Sequence, residues 1–226
     1  MFIVHIYFCN ELYKFFLLFE IMSNLFYKII YAFFKINRLG AMKVITEINK
    51  ILKLDDDQIQ LVKSHLVKVT LSKNDQFLKS DSRNDKIGFI ERGLLRSYSY
   101  DDVGNEITHD FFQEGSFFTD LNSYFNNSLS KVFIETLVEC DLYVLNRTSI
   151  DILKNKIPEW VIFEQIYRAQ ISMCLLDFQR KIIHSSSSDS FTLFSKSYNQ
   201  AFNSAPKKHI ASFLGVSPFT LSRIKI

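Results

Sequence analysis

The sequence predicts an α+β fold in three parts: an N-terminal antiparallel β-roll or jelly roll, a long dimerisation helix and a C-terminal helix-turn-helix domain. From about residue 67 to 147 the chain runs in short strand-like stretches punctuated by glycine, and Gly93, Gly104 and Gly115 are spaced by eleven. From 159 to 184 apolar residues recur at steps of four and three, a helical period. The last twenty residues, KKHIASFLGVSPFTLSRIKI, hold two short apolar faces separated by Gly215 and a Ser-Pro pair, which are helix stop and start signals.

The chain has 226 residues, which predicts between one and two domains at about 150 residues per domain. A hydrophobic content of 47% and a charged content of 23% exclude general disorder. Three Pro and six Gly exclude a collagen-like or flexible low-complexity chain. Cys9, Cys140 and Cys174 lie far apart with no CxxC pair, which argues against a secreted disulfide scaffold or zinc ribbon and suits a reducing, cytoplasmic setting. The net charge is only +3, but its distribution is uneven. No acidic residue follows Asp189, whereas Lys196, Lys207, Lys208, Arg223 and Lys225 do, so a net +5 end follows a −2 body. A basic end of this kind fits a polyanion.

Residues 1–41 form a hydrophobic, aromatic leader of different texture. Glu11, Lys14, Glu20, Lys28 and Lys35 interrupt every apolar run before it reaches the roughly 18 residues of a membrane span. A signal peptide would need a basic start and a small-residue cleavage site, and neither stands here. Phe26, Ile29, Ile30, Phe33 and Phe34 follow helical spacing, as on a membrane-surface helix. The favoured expectation is that translation begins at Met42 or Met22 and the leader is not made.

Residues 43–69 read as helical, with Ile48, Ile51, Leu52, Ile59, Leu61, Val62 and Leu66 on the apolar side and Asp55-Asp56-Asp57 as a helix start. In the strand region, Glu91-Arg92-Gly93 reads as a tight turn between Ile87–Ile90 and Leu94–Tyr100. Asp101–Gly104 reads as the next turn, before a strand over Asn105–Phe112. Val132–Leu137 and Leu142–Leu145 read as a final strand pair. Pro158 suits the first turn of the long helix, in which Ile162, Ile166, Ala169, Met173, Leu176, Arg180 and Ile183 form an a/d seam fit for a dimer. The polar run Ser185–Ser190 then serves as a hinge or cap. The expected parts are therefore the leader at 1–41, the roll at 42–158, the dimerisation helix at 159–184 and the terminal domain at 185–226.

In that terminal domain, Ile210 and Leu214 share one helix face and Ala211 is small where two helices must approach. Gly215 permits the positive φ of a tight turn. Ser217 can cap the second helix, Pro218 can open it, and Leu221 and Ile224 fall on its buried side. This is a helix-turn-helix that leaves Phe219, Thr220, Ser222, Arg223 and Lys225 toward solvent or DNA.

The stretch IASFLGVSPFTLSRI resembles the recognition motif of Crp/Fnr-type bacterial transcription regulators, and IGFIERGLLRSYSYDDVGNEITHDFFQEGSFFTDLNSYF resembles their cyclic-nucleotide-binding β-roll. The likeness runs over about residues 46–226. It implies a dimeric transcriptional regulator bound to near-palindromic double-stranded DNA. It makes RNA polymerase a further candidate partner. On this resemblance, Arg223 is the candidate for a bidentate guanine contact. Ser217, Pro218, Thr220 and Ser222 lie at phosphates or base edges, and Lys207, Lys208 and Lys225 at phosphates. Phe219 stands where such sequences usually carry Glu, and an apolar ring there fits a thymine methyl.

The effector pocket that the resemblance implies falls on Gly115, Thr119, Asp120, Ser130 and Lys131. The family's Gly-Glu pair lies on Thr119-Asp120, and its phosphate-binding Arg lies near Ser130, with Lys131 beside it. The glycine and arginine are missing, so the pocket is expected not to take cyclic AMP, and any small-molecule effector is unidentified. No cofactor is expected: the iron–sulfur cysteines of the Fnr branch have no counterpart in the matched region. Two alternatives compete. One is an effector-binding or membrane-surface interaction module without DNA binding. The other is a cupin-like metal enzyme, for which the roll offers only His65 and His109 and no HxH or HxE spacing.

Overall fold

Asp55 sets the first break in the chain. Helix α1 (Lys43–Leu52) buries Val44, Ile45 and Ile48 and ends at Lys53, which turns to a left-handed φ of 51°. Asp55 then caps α2 (Asp56–His65) in a reciprocal box, its carboxylate accepting from Gln58 N at 2.8 Å while Gln58 Oε1 accepts from Asp55 N at 3.1 Å. The expected helical stretch 43–69 is thus two helices, and its last residues already belong to strand β1 (Val67–Leu71). The structure is a computed structural model that describes residues 42–224. The expectations for the 1–41 leader and for Lys225 lie outside the described residues.

Seven further strands follow: β2 (Gln76–Leu78), β3 (Lys86–Arg92), β4 (Leu94–Tyr100), β5 (Glu106–Gln113), β6 (Phe117–Phe118), β7 (Phe133–Thr136) and β8 (Cys140–Asn146). They form two antiparallel four-stranded sheets, in the orders β1-β8-β3-β6 and β2-β7-β4-β5. Two sequence expectations are corrected here. Glu91-Arg92-Gly93 does not close a hairpin, because β3 and β4 belong to opposite sheets. Gly93, at φ 125°, lets the chain cross from one to the other. Likewise the expected pair at 132–137 and 142–145 splits, β7 pairing with β4 and β8 with β3 and β1. The β4–β5 hairpin does form, with Asp101 accepting from Val103 N and Asn105 N across its turn.

Between the sheets lie Leu78, Ile90, Leu95, Phe118, Ile134 and Leu142, all nearly water-free. A second core joins α1, α2 and the outer face of the β3/β8 sheet to α4 (Arg147–Lys156), a helix capped by Asn146 and not expected from the sequence. A short α3 (Leu121–Asn126) interrupts the strands. Helix α5 (Trp160–Ile183) then runs 24 residues, burying Trp160 and Phe163 in this second core and Phe178 in a third. Its opposite side carries the expected seam: Ile162, Ile166, Met173, Leu176 and Ile183 are 37–70% exposed, an apolar stripe that the other described residues leave uncovered.

The chain ends in α6 (Ser187–Ser197), α7 (Asn199–Ser204), α8 (Lys207–Phe213) and α9 (Pro218–Arg223). Ser186 caps α6 by accepting from Asp189 N, as the serine run led one to expect. Phe194, Tyr198, Ala201, Ile210, Ala211 and Leu221 pack with Phe178 of α5 and with Leu94 and Phe111 of the roll, so the terminal helices share one core with strands β4 and β5.

Candidate nucleic-acid interface and effector cassette

Helices α8 and α9 are joined by the turn the sequence predicts. Gly215 takes φ 66°, and Ser217 Oγ accepts from Thr220 N at 3.0 Å while Pro218 occupies the first helical turn. Ala211 is fully buried and Ile210 and Leu221 nearly so, so the two helices close on a common apolar face. On the other side Ser217, Pro218, Phe219, Thr220, Ser222 and Arg223 are exposed, together with Lys207 and Lys208 at the start of α8. All eight of these candidates are exposed, and Lys208 lies near enough to the part-exposed Glu106 to lower the pKa of its carboxyl. Their hydroxyls are used locally: Ser217 Oγ and Thr220 Oγ1 are 2.8 Å apart, and Ser222 Oγ donates to Phe219 O at 2.8 Å.

The buried side of this unit is docked on strand β5, the edge of its sheet. Ser212 Oγ accepts from Thr108 N at 2.9 Å and donates to Glu106 O at 3.0 Å, satisfying an edge strand's free backbone groups. Tyr198 Oη donates to Asp110 Oδ1 at 3.0 Å, and Gln200 bonds Gln113, Glu114 N and Gly93 O. Beneath α8 lies Arg96, only 1% exposed, whose guanidinium donates to Glu135, Thr108 and Glu106 and lies 4.2 Å from the Tyr98 ring centre. Burial pushes the Glu106 carboxyl up, but Arg96, with Lys208 and His209 beyond it, holds it below the ordinary carboxylate range overall. Burial, then Arg96 and Lys208, lower the His209 imidazole to about 4, so it is neutral where it faces Glu106 at 3.7 Å. Burial raises the Asp110 carboxyl to about 7. Sequence reasoning did not single out Arg96, Asp110, Ser212 or Gln200. An arginine within the otherwise uncharged strand LLRSYSY was the one visible signal.

The cassette residues are brought together in part. Thr119 is buried; its Oγ1 donates to Lys86 O at 3.0 Å and accepts from Asn84 Nδ2 at 2.8 Å. Asp120 caps α3, its Oδ1 accepting from Asn122 N at 3.1 Å and Ser123 N at 3.3 Å, while its Oδ2 accepts from the fully buried Ser130 Oγ at 2.8 Å. Gly115 lies between β5 and β6 at φ 84°, its N–H bonded to Ile90 O. Lys131 does not join them: it is 77% exposed and pairs with Asp81 at 3.0 Å.

A crossover of two four-stranded sheets, followed by a long helix and a terminal helix-turn-helix, is also found in solved structures. FixK2 from Bradyrhizobium japonicum matches with a TM-score of 0.61 at 14% identity, over 70% of this chain and 82% of that one. The described residues have the Crp/Fnr fold. A protein described as a transcriptional regulator of the Crp/Fnr family from Eubacterium rectale matches with a TM-score of 0.58 at 15% identity, over 76% of this chain and 82% of that one. The c-di-GMP-responsive global regulator CLP of Xanthomonas campestris matches with a TM-score of 0.57 at 14% identity, over 75% and 89%. No family model and no curated protein matches the sequence. Among the described residues, no three His, Cys, Asp or Glu side chains are grouped to hold a metal ion, and no helix is long and apolar enough to cross a membrane.

Proposed function

We propose that this chain is a Crp/Fnr-type transcriptional regulator that binds near-palindromic double-stranded DNA as a homodimer, with a cassette that does not take cyclic AMP. The observation that carries the reading is the exposed face of α9, with Arg223 and Phe219 outward and Leu221 inward, on a basic end without acidic residues. The exposed α5 stripe supports the dimer, since a second copy would cover it and set two recognition helices at fixed spacing, about 34 Å for successive major grooves.

Asp120 supports the third element. Its carboxylate already holds the α3 N–H groups and the Ser130 hydroxyl, and Ser130 stands where the family's phosphate-binding arginine would fall, so a cyclic phosphate would meet a carboxylate and a hydroxyl at that position. Regulation by another small molecule, and contact with RNA polymerase, belong to the same proposal. Cytoplasmic action follows from its target. The Arg223→Ala variant tests the DNA contact directly: its affinity for a promoter site that the wild type binds should fall by about 1–3 kcal/mol, with specificity relaxed at one base position. Equal affinity of both proteins in a gel-shift titration would contradict the role given to Arg223.

A further inference from the structure

The outward face of α9 holds an unusual pair. Its hydroxyls are occupied by the cap and by the helix backbone, which leaves Phe219 and Arg223 as the side chains aimed outward without a local hydrogen bond. They are four residues apart and so share one face. Phe219 is 63% exposed, a large apolar ring that the protein core does not use. The Arg223 guanidinium lies over it, 3.8 Å from the ring centre. This cation–π contact restricts both side chains before anything is bound.

We infer that Phe219 and Arg223 form one base-reading unit, in which the guanidinium forks onto a guanine while the ring meets the 5-methyl group of a thymine in the adjacent base pair. The inference rests on the DNA-binding reading above and names the step it recognises. The ring centre and the guanidinium carbon are 3.8 Å apart, comparable to the rise of about 3.4 Å between stacked base pairs, so one such unit can span two neighbouring pairs. In the major groove guanine shows two acceptors, O6 and N7, which match the guanidinium fork. Thymine alone shows a methyl group there. Cytosine and adenine would set an amino donor against a ring that accepts only weakly, and guanine would set acceptors against a ring that cannot donate. The unit thus selects thymine beside guanine by one directed contact and one apolar contact.

The test uses duplexes enriched from a random pool by the full-length protein. Each thymidine of the enriched site is then replaced by deoxyuridine, which removes only the methyl group. One thymine per half-site, next to the guanine whose preference Arg223→Ala abolishes, should be sensitive, with binding weakened about fourfold per methyl group. Phe219→Ala should bind the thymine and uracil duplexes alike, and Phe219→Glu should shift the preference at that position to cytosine, whose amino group a carboxylate accepts. Wild-type binding indifferent to every thymine methyl, a sensitive thymine away from that guanine, or an undiminished methyl effect in Phe219→Ala would each overturn the inference while leaving DNA binding intact. Failure to enrich any duplex would instead overturn the DNA-binding reading, and this inference with it.

Discussion

Asp110 and His209 are ionisable groups caught between the roll and the terminal helices, and they give stability opposite slopes with pH. Burial raises Asp110 from 3.8 to about 7, so the unfolded chain loses this proton first and stability falls as pH climbs through that window. The groups facing it are the Tyr198 hydroxyl, which donates to it, and the Cys174 thiol on α5. A full shift of this size corresponds to on the order of 4 kcal/mol. Burial lowers His209 from 6.5 to about 4, so stability falls as pH drops through that range. In urea titrations the stability advantage of Asp110→Asn over wild type should grow from pH 5 and level off above about pH 7. A pH-independent difference would contradict the buried-acid account. Gly93 makes a sharper case: a Cβ there would lie 2.4 Å from Cys140 Sγ and 2.9 Å from its Cα, at a φ of 125°. Gly93→Ala should therefore lower the unfolding free energy by roughly 3 kcal/mol. Single residues with local roles, such as Asp55, Gly215 and Ser217, were legible in the sequence because a cap or a tight turn is a short-range device. Arg96 and Asp110 were not, because their partners come from other strands and from helices a hundred residues away.

Among the elements, α5 shows both what the pattern reveals and what it hides. Its four-and-three spacing marked a stripe, and the structure leaves that stripe exposed, while Trp160, Phe163 and Phe178 anchor the reverse side. Placing a charge in the stripe should separate the copies without unfolding them. Leu176→Glu is expected to sediment as a monomer with the circular dichroism of wild type, and an unchanged dimer would show that the copies meet elsewhere. At the start of α8, exposed Lys207 and Lys208 are assigned to phosphates. Removing either should weaken binding to all duplexes alike and reduce the slope of log K against log salt by about 1. Strands β3, β4, β5, β7 and β8 were readable from glycine spacing and turn signals, but β1, β2 and β6 were not, and neither was strand pairing. Alternation says that β3, β4, β7 and β8 each have an inner face, and it is silent on which sheet receives them. The short α3 and the ten-residue α4 carried too few turns for a period to stand out.

At the scale of the molecule, the terminal helix-turn-helix does not hang from α5 by a linker. It seals the edge of the roll through Ser212, Tyr198 and Gln200, and shares a core with Leu94 and Phe111. The order of roll, long helix and helix-turn-helix was legible because each part has its own period. The docking between them depends on contacts between distant segments, for which the chain has no local signature. With the roll and terminal unit joined in this way, the proposed dimer about the α5 stripe would set the position of each α9. A hydroxyl-radical footprint of the full-length protein on an enriched duplex tests that arrangement most directly. Two protected stretches on one side of the duplex, about one helical turn apart and related by a near-palindrome, are the expected result. A single protected stretch occupied by one chain would contradict it.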